Sequence, residues 1–192
     1  MNALIIAFDG LLAETLGVRT DAVLEALRGE HIEPERALVA AALPGRTLHE
    51  EIRRVSASTD ETLLDLLTLR AQALLSARIA QGIAIAPNAQ AFLARTRAAG
   101  TRLVLRSDSA RRDVERVLAL GDLESTFAFV RCADDLSAVS GGSSLERSYI
   151  AITRRLDALG GGGDRAALEC SAPAAETARR YVGSVRVCAS LP

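Results

Sequence analysis

A short unbroken apolar run, Ala3 to Phe8, opens the sequence and ends on Asp9-Gly10, and the next strand-like segment, Arg102 to Leu105, comes only after a long helical stretch. An apolar stretch of this length without alternation reads as a strand buried on both faces, the kind found in parallel sheets. From Thr15 to Gln81 the pattern is helical throughout. Leu16, Val23, Leu24 and Leu27 keep helical spacing as far as Gly29, and Pro34 suits the first turn of a second helix that ends near Pro44-Gly45. Thr47 with Glu50, and Ser58 with Glu61, match the capping-box signature and predict two further helix starts. The last of these helices carries more leucines, among them Leu63, Leu64, Leu66, Leu67 and Leu69, than one face can hold. It is expected to be central to its bundle or to present a self-association surface.

After Pro87 helix and strand patterns alternate. The spacing predicts a helix around Phe92 that ends at Gly100, a strand over Arg102–Leu105, a helix over Ala110–Leu120 and a strand over Phe127–Val130. A helix through Tyr149, Ile152 and Leu156 follows, stopped by the run Gly160 to Gly163. Short strands at Ala166–Leu168 and Val185–Val187 flank a last helix starting near Pro173. This alternation implies βαβ units and a parallel sheet, so the fold class is α/β with a helical insertion after the first strand. Ligands of such sheets bind beyond the C-terminal strand ends. Those ends read Asp9-Gly10, Arg106-Ser107-Asp108-Ser109 and Glu169-Cys170-Ser171, with a polar loop Ser140–Ser144 before the Tyr149 helix.

In this order the features resemble the haloacid dehalogenase (HAD) superfamily, in particular its phosphoglycolate phosphatase and β-phosphoglucomutase-like branch. The resemblance rests on the Asp9-Gly10 strand end with its leucines, the Gly45-Arg46-Thr47 turn, the Ala99-Gly100 lead-in, the Ser107-x-Ser109 turn and Glu169-x-Ser171. It implies a HAD-like Rossmannoid parallel-sheet core over 1–14 and 82–192 and an inserted all-helical, four-helix cap over 15–81.

What the resemblance implies about chemistry is then set by departures from its motifs. The family's first motif is D-x-D-G, in which side chains two apart on a strand share a side. One carboxylate attacks phosphorus and the other serves as acid and base. Here Ala7 stands at the nucleophile position and Asp9 keeps the acid/base position. Ser107, with Asp108 beside it, keeps the phosphate-binding turn. The third motif, G-K-P-x-P-(D/E)-x-Y, aligned on Tyr149, puts Ser143 where the phosphate-neutralising lysine belongs. All 23 basic side chains are arginine, so no lysine can substitute from elsewhere; Arg147 or Arg106 is the candidate for a replacement charge. The fourth motif, E-D-S, reads Glu169-Cys170-Ser171. The family uses magnesium, a hard cation that wants oxygen ligands; Ala7 and Cys170 remove both anionic ones, leaving Glu169 as a remnant metal position with no useful affinity expected.

The expectation is therefore a HAD-like protein that has lost phosphatase activity and acts as a protein-interaction or small-anion-binding subunit, the anion held by backbone N–H groups at helix N-termini. The alternative is a weak or altered hydrolase of a small phosphomonoester using Asp9 or Cys170. The only histidines, His31 and His49, fall in the cap and give Cys170 no base. A net charge of -1 argues against a nucleic-acid partner, and three cysteines without a C-x-x-C pair argue against a disulfide framework or zinc knuckle. With no membrane-length apolar run and no signal-peptide pattern, a cytoplasmic protein is expected. The sequence stops soon after the last strand, from which a less protected sheet edge and a protein partner or homo-oligomer are anticipated.

Overall fold

The computed structural model describes residues 2–138, 141–160, 163–189 and 191. Ser140, Gly161, Gly162 and Pro192, which belong to segments named above, lie outside the described residues. Five parallel strands, β1 (Ala3–Ala7), β2 (Arg102–Arg106), β3 (Phe129–Arg131), β4 (Arg165–Glu169) and β5 (Ser184–Val187), form one sheet in the order β3-β2-β1-β4-β5. The central strand β1 is an unbroken apolar run and its neighbours β2 and β4 have apolar middles, because both faces are covered there, whereas the edge strand β5 is largely exposed. On one face Ile5, Val104 and Ala167 pack with Leu145, Tyr149, Ile152 and Leu156. These come from α7 (Ser144–Ala158), beside α8 (Ala172–Ala178). On the other face Ile6, Leu105 and Leu168 join the larger core with α5 (Ala89–Ala98) and α6 (Arg111–Leu120).

Between β1 and α5 four helices form the cap: α1 (Thr15–Arg28), α2 (Arg36–Ala42), α3 (Leu48–Ser56) and α4 (Glu61–Ala80). Leu64, Leu67, Ala71, Leu75 and Ile79 are the buried ridge of α4. The chain enters and leaves the cap side by side, since Glu14 N–H donates to the Ala84 carbonyl and Ala86 N–H to that of Leu12. The Thr47/Glu50 capping box forms as expected. Two other starts move by a residue or two. Pro34 precedes α2, whose N-cap is Glu35. The N-cap of α4 is Asp60, whose carboxylate accepts from Thr62 N–H and Leu63 N–H, while the Ser58 hydroxyl takes Asp60 N–H one step upstream. Asp outcompetes Ser here because its charged oxygen also favours the positive end of the helix dipole. No helix among the described residues is long and apolar enough to cross a membrane.

Candidate functional site

The C-terminal ends of β1, β2 and β4 meet under the cap and bring together Asp9, Ser107, Asp108 and Glu169, the four remnant positions, all buried. Asp9 is fully engaged. Its Oδ1 accepts from the Thr15 hydroxyl (3.0 Å) and the Ser109 hydroxyl (2.6 Å), and its Oδ2 from the Ser107 hydroxyl (2.6 Å) and Asp108 N–H (2.9 Å). Burial pushes its pKa up, but the Arg19 guanidinium and the bonds from Ser107, Ser109 and Asp108 outweigh it and hold the carboxyl below its ordinary value. A carboxylate so stabilised has no proton to give to a leaving group at neutral pH. Ser107 is engaged as well, because its hydroxyl also accepts from Ser109 N–H (3.0 Å).

The centre of the site is a side chain that the motifs do not contain. Arg106, the last residue of β2, is 1% exposed. It stands in register with Ala7 on β1, and continuing the Ile6–Leu168 register by one residue places Glu169 on Ala7's other side. Residues in register on neighbouring parallel strands point to the same face. The methyl group of Ala7 leaves the guanidinium room to cross the central strand. Its Nε and Nη2 donate to the two Glu169 oxygens at 2.9 and 3.0 Å, and its Nη1 donates to Asp108 Oδ1 at 2.8 Å. The Tyr149 hydroxyl adds a bond to Glu169 Oε1 at 2.5 Å. The fork geometry of arginine makes this bidentate clamp possible where an ammonium would meet one oxygen at a time. The pKa of Arg106 is driven upward despite burial, by Asp108 and Glu169. Asp108 moves the other way for a carboxylate, up to about 6: burial and the nearby Asp9 outweigh the attraction of Arg106.

The magnesium implied by the resemblance does not fit these residues. Both Glu169 oxygens are held by a guanidinium, both Asp9 oxygens by two donors each, and the buried positive charge of Arg106 stands where a second cation would be repelled. Cys170 offers no replacement chemistry, because burial, then the neighbouring Glu169, push its thiol up to about 12 and keep it protonated. Ser143, the residue at the lysine position, takes no part in this network. It is exposed and is the N-cap of α7, in a reciprocal capping box with Glu146. Arg147 is not in the network either, and sits 3.9 Å from Glu50.

The cap closes over the site through backbone and side chain. Gly45 N–H donates to Asp108 Oδ2 (3.1 Å) from a turn with φ +77°, where a side chain would also press on Leu145 at 2.9 Å. Glu50 accepts from Ser144 N–H (3.0 Å) and from the Ser144 hydroxyl, which lays a cap carboxylate on the N-terminus of α7. A second buried ion pair, Arg19 with Glu51 at 3.4 Å, lies fully inside the cap. Among the described residues neither Glu51 oxygen accepts a hydrogen bond, and burial raises this carboxyl to about 7. Arg106's role, Arg19 and Glu51 carried no periodic or motif signal. The one available clue was a charged residue closing a strand whose middle is wholly apolar. His31 and His49 lie in the cap, His49 beside Glu61 and Asp65 on its surface.

No family model and no curated protein matches the sequence. Solved structures do match along nearly the whole chain. A haloacid dehalogenase-like hydrolase from Bacteroides fragilis superposes with a TM-score of 0.83 at 16% identity, over 99% of this chain and 89% of that one. β-Phosphoglucomutase from Clostridium difficile gives 0.76 at 14% identity, over 95% and 82%. CbbY from Rhodobacter sphaeroides, solved in complex with phosphate, gives 0.73 at 20%, over 97% and 86%. At these identities the likeness is one of architecture, and it agrees with the sheet, the cap and the position of the strand ends: the chain has a haloacid dehalogenase-like fold.

Proposed function

We propose that this protein is a HAD-like pseudoenzyme, a chain that keeps the hydrolase fold and has exchanged phosphoryl transfer for a role as a protein-interaction subunit. The observation that carries the reading is the Arg106 clamp across Ala7, with Glu169 and Asp108 both bound to one buried guanidinium. Covalent transfer needs a nucleophile, a proton donor and a counter-charge that are open to substrate. In this site the nucleophile position is a methyl group, the remaining acid is ionised and saturated, and the counter-charge is spent on the protein's own carboxylates. CbbY was solved with phosphate; here the Ser107 hydroxyl that would hold a phosphoryl oxygen is committed to Asp9. Anion positions at helix N-termini are also filled from within, by Glu50 on α7 and by Asp134, which accepts from Arg111 N–H on α6. That occupation favours a protein partner over a small anion.

The test is a phosphatase assay with magnesium across a panel of small phosphomonoesters, run beside a mock purification. Turnover no higher than the mock is expected, and Ala7→Asp alone is expected to leave it there because Arg106 still holds Glu169. Turnover that Asp9→Asn abolishes would establish the altered hydrolase instead.

A further inference from the structure

The cap helix α4 has a second apolar face, separate from the ridge it buries. Leu66, Leu69, Ala73, Ala77 and Ala80 are all exposed, with Leu66 at 54% and Leu69 at 70%. Their spacing of three and four residues puts them in one stripe along the helix. Asp65 and Arg70, both exposed, flank it on opposite sides, which gives an apolar seam with a charged rim. The order of sizes along the stripe is the informative feature. The large residues lie at the N-terminal end, the small ones at the C-terminal end, and the positions are symmetric about Ala73.

We infer that α4 is a homodimer interface in which two copies pack antiparallel about a dyad at Ala73. In that arrangement Leu66 lies against the partner's Ala80 and Leu69 against the partner's Ala77, so each large side chain meets a small one and the helix axes stay evenly spaced. A parallel pair would set leucine on leucine at one end and alanine on alanine at the other, which splays the helices. Antiparallel packing also places the two helix dipoles head to tail. The seam from Leu66 to Ala80 is about 21 Å long at 1.5 Å per residue. A single helix pair of that length is a small contact beside the roughly 1,200–2,000 Å² that specific stable interfaces bury. The dimer is therefore weak, and its population depends on concentration. The inference rests on the interaction half of the proposed function and not on the loss of catalysis.

Sedimentation equilibrium from low micromolar to near-millimolar protein tests it. The wild-type mass should rise from monomer towards dimer, and Leu69→Glu should weaken association about thirtyfold or more, the effect of losing an interface anchor. Leu69→Glu combined with Ala77→Arg should regain most of the association, because only antiparallel packing sets residue 69 against residue 77 of the partner copy. Circular dichroism melts of both variants check that the fold is kept, which the exposure of both positions favours. A wild-type monomer at every concentration, a dimer indifferent to Leu69→Glu, or a folded double variant that fails to recover would each overturn the inference. None of these results would restore phosphatase activity, so the catalytic reading stands or falls separately.

Discussion

Replacing Arg106 by Met tests the site at its centre. The substitution keeps an unbranched side chain that can lie over Ala7 but removes three charge-assisted hydrogen bonds of 2.8 to 3.0 Å, and so leaves Glu169 and Asp108 buried without their cation. Breaking a buried pair by deleting one partner costs about 3–5 kcal/mol, most of it the penalty of the stranded charge. Set against the 5–15 kcal/mol typical of a domain, that is a large share of total stability. The cost should depend on pH. Asp108 already takes up a proton near pH 6, and without Arg106 it will do so at higher pH still, so part of the stranded charge is neutralised in mildly acidic buffer. The assay is urea unfolding followed by far-ultraviolet circular dichroism at pH 8 and at pH 5.5, with the slope against urea compared to confirm that the same surface unfolds. Arg106→Met should lose about 3–5 kcal/mol at the higher pH and clearly less at the lower one. Adding Asp108→Asn and Glu169→Gln should recover at least half of the loss. A loss under about 1 kcal/mol at pH 8, or a triple variant no more stable than the single one, would refute the buried clamp, since a surface-like pair is worth no more than that.

Further outcomes follow from the same electrostatics. Glu51 has a folded pKa of about 7, above its ordinary 4.5, so the folded state binds the proton more tightly and the stability this provides is lost as pH rises from about 4.5 through 7. Glu51→Gln should flatten that part of the stability–pH curve, by up to about 3 kcal/mol across it, and an unchanged slope in denaturant titrations would count against the buried carboxyl. Asp9 has the opposite sign and adds stability that is lost only on acidification below the ordinary carboxylate range. Cys132 and Cys170, both pushed to about 12 by burial first, should react with iodoacetamide far more slowly at pH 8 than a solvent-exposed thiol. Rapid alkylation of Cys170, read by peptide mass spectrometry, would revive it as a nucleophile.

The parts of the fold that were legible in the sequence are those set by near neighbours. Ala3 to Ala7 could be read as a doubly buried strand because every residue in it is apolar, and Thr47 with Glu50 could be read as a helix start because the reciprocal bonds span only three residues. The Ser58/Glu61 signature failed by two residues because Asp60, inside it, is the stronger cap. Ser143 was placed by alignment at a lysine position, yet Ser143-x-x-Glu146 is itself a capping box, and the local signal is the one the structure obeys. The Arg106 clamp was not legible for the opposite reason. Arg106 and Glu169 are 63 residues apart, and they meet only because the sheet order puts Ala7 between them. Arg106 could be named as a possible source of charge, but its partners depend on register, which no local pattern encodes. Arg19 and Glu51 are harder still: both belong to cap helices whose buried faces are mostly apolar, and charged residues there read as solvent-facing.

The three departures from the family's motifs are physically coupled, and the coupling runs through Ala7. An aspartate at that position would place a carboxylate in the path that the Arg106 side chain takes across β1, and Glu169 would then need a different counter-ion. With alanine there, one arginine neutralises Glu169 and Asp108 together, and the buried carboxylates need neither a metal nor a lysine. Once that is so, the residue at 170 can be an uncharged thiol, and the residue at 143 is free to cap α7. The arginine-only composition does not explain this by itself, since exchanging lysine for arginine would have put arginine at 143, whereas the positive charge entered from β2 at 106. Changing any one of the three positions to the motif residue therefore leaves the guanidinium in place. A site able to bind a metal and a phosphoryl group would need Asp at 7, Lys at 143 and Asp at 170 as well as the removal of Arg106.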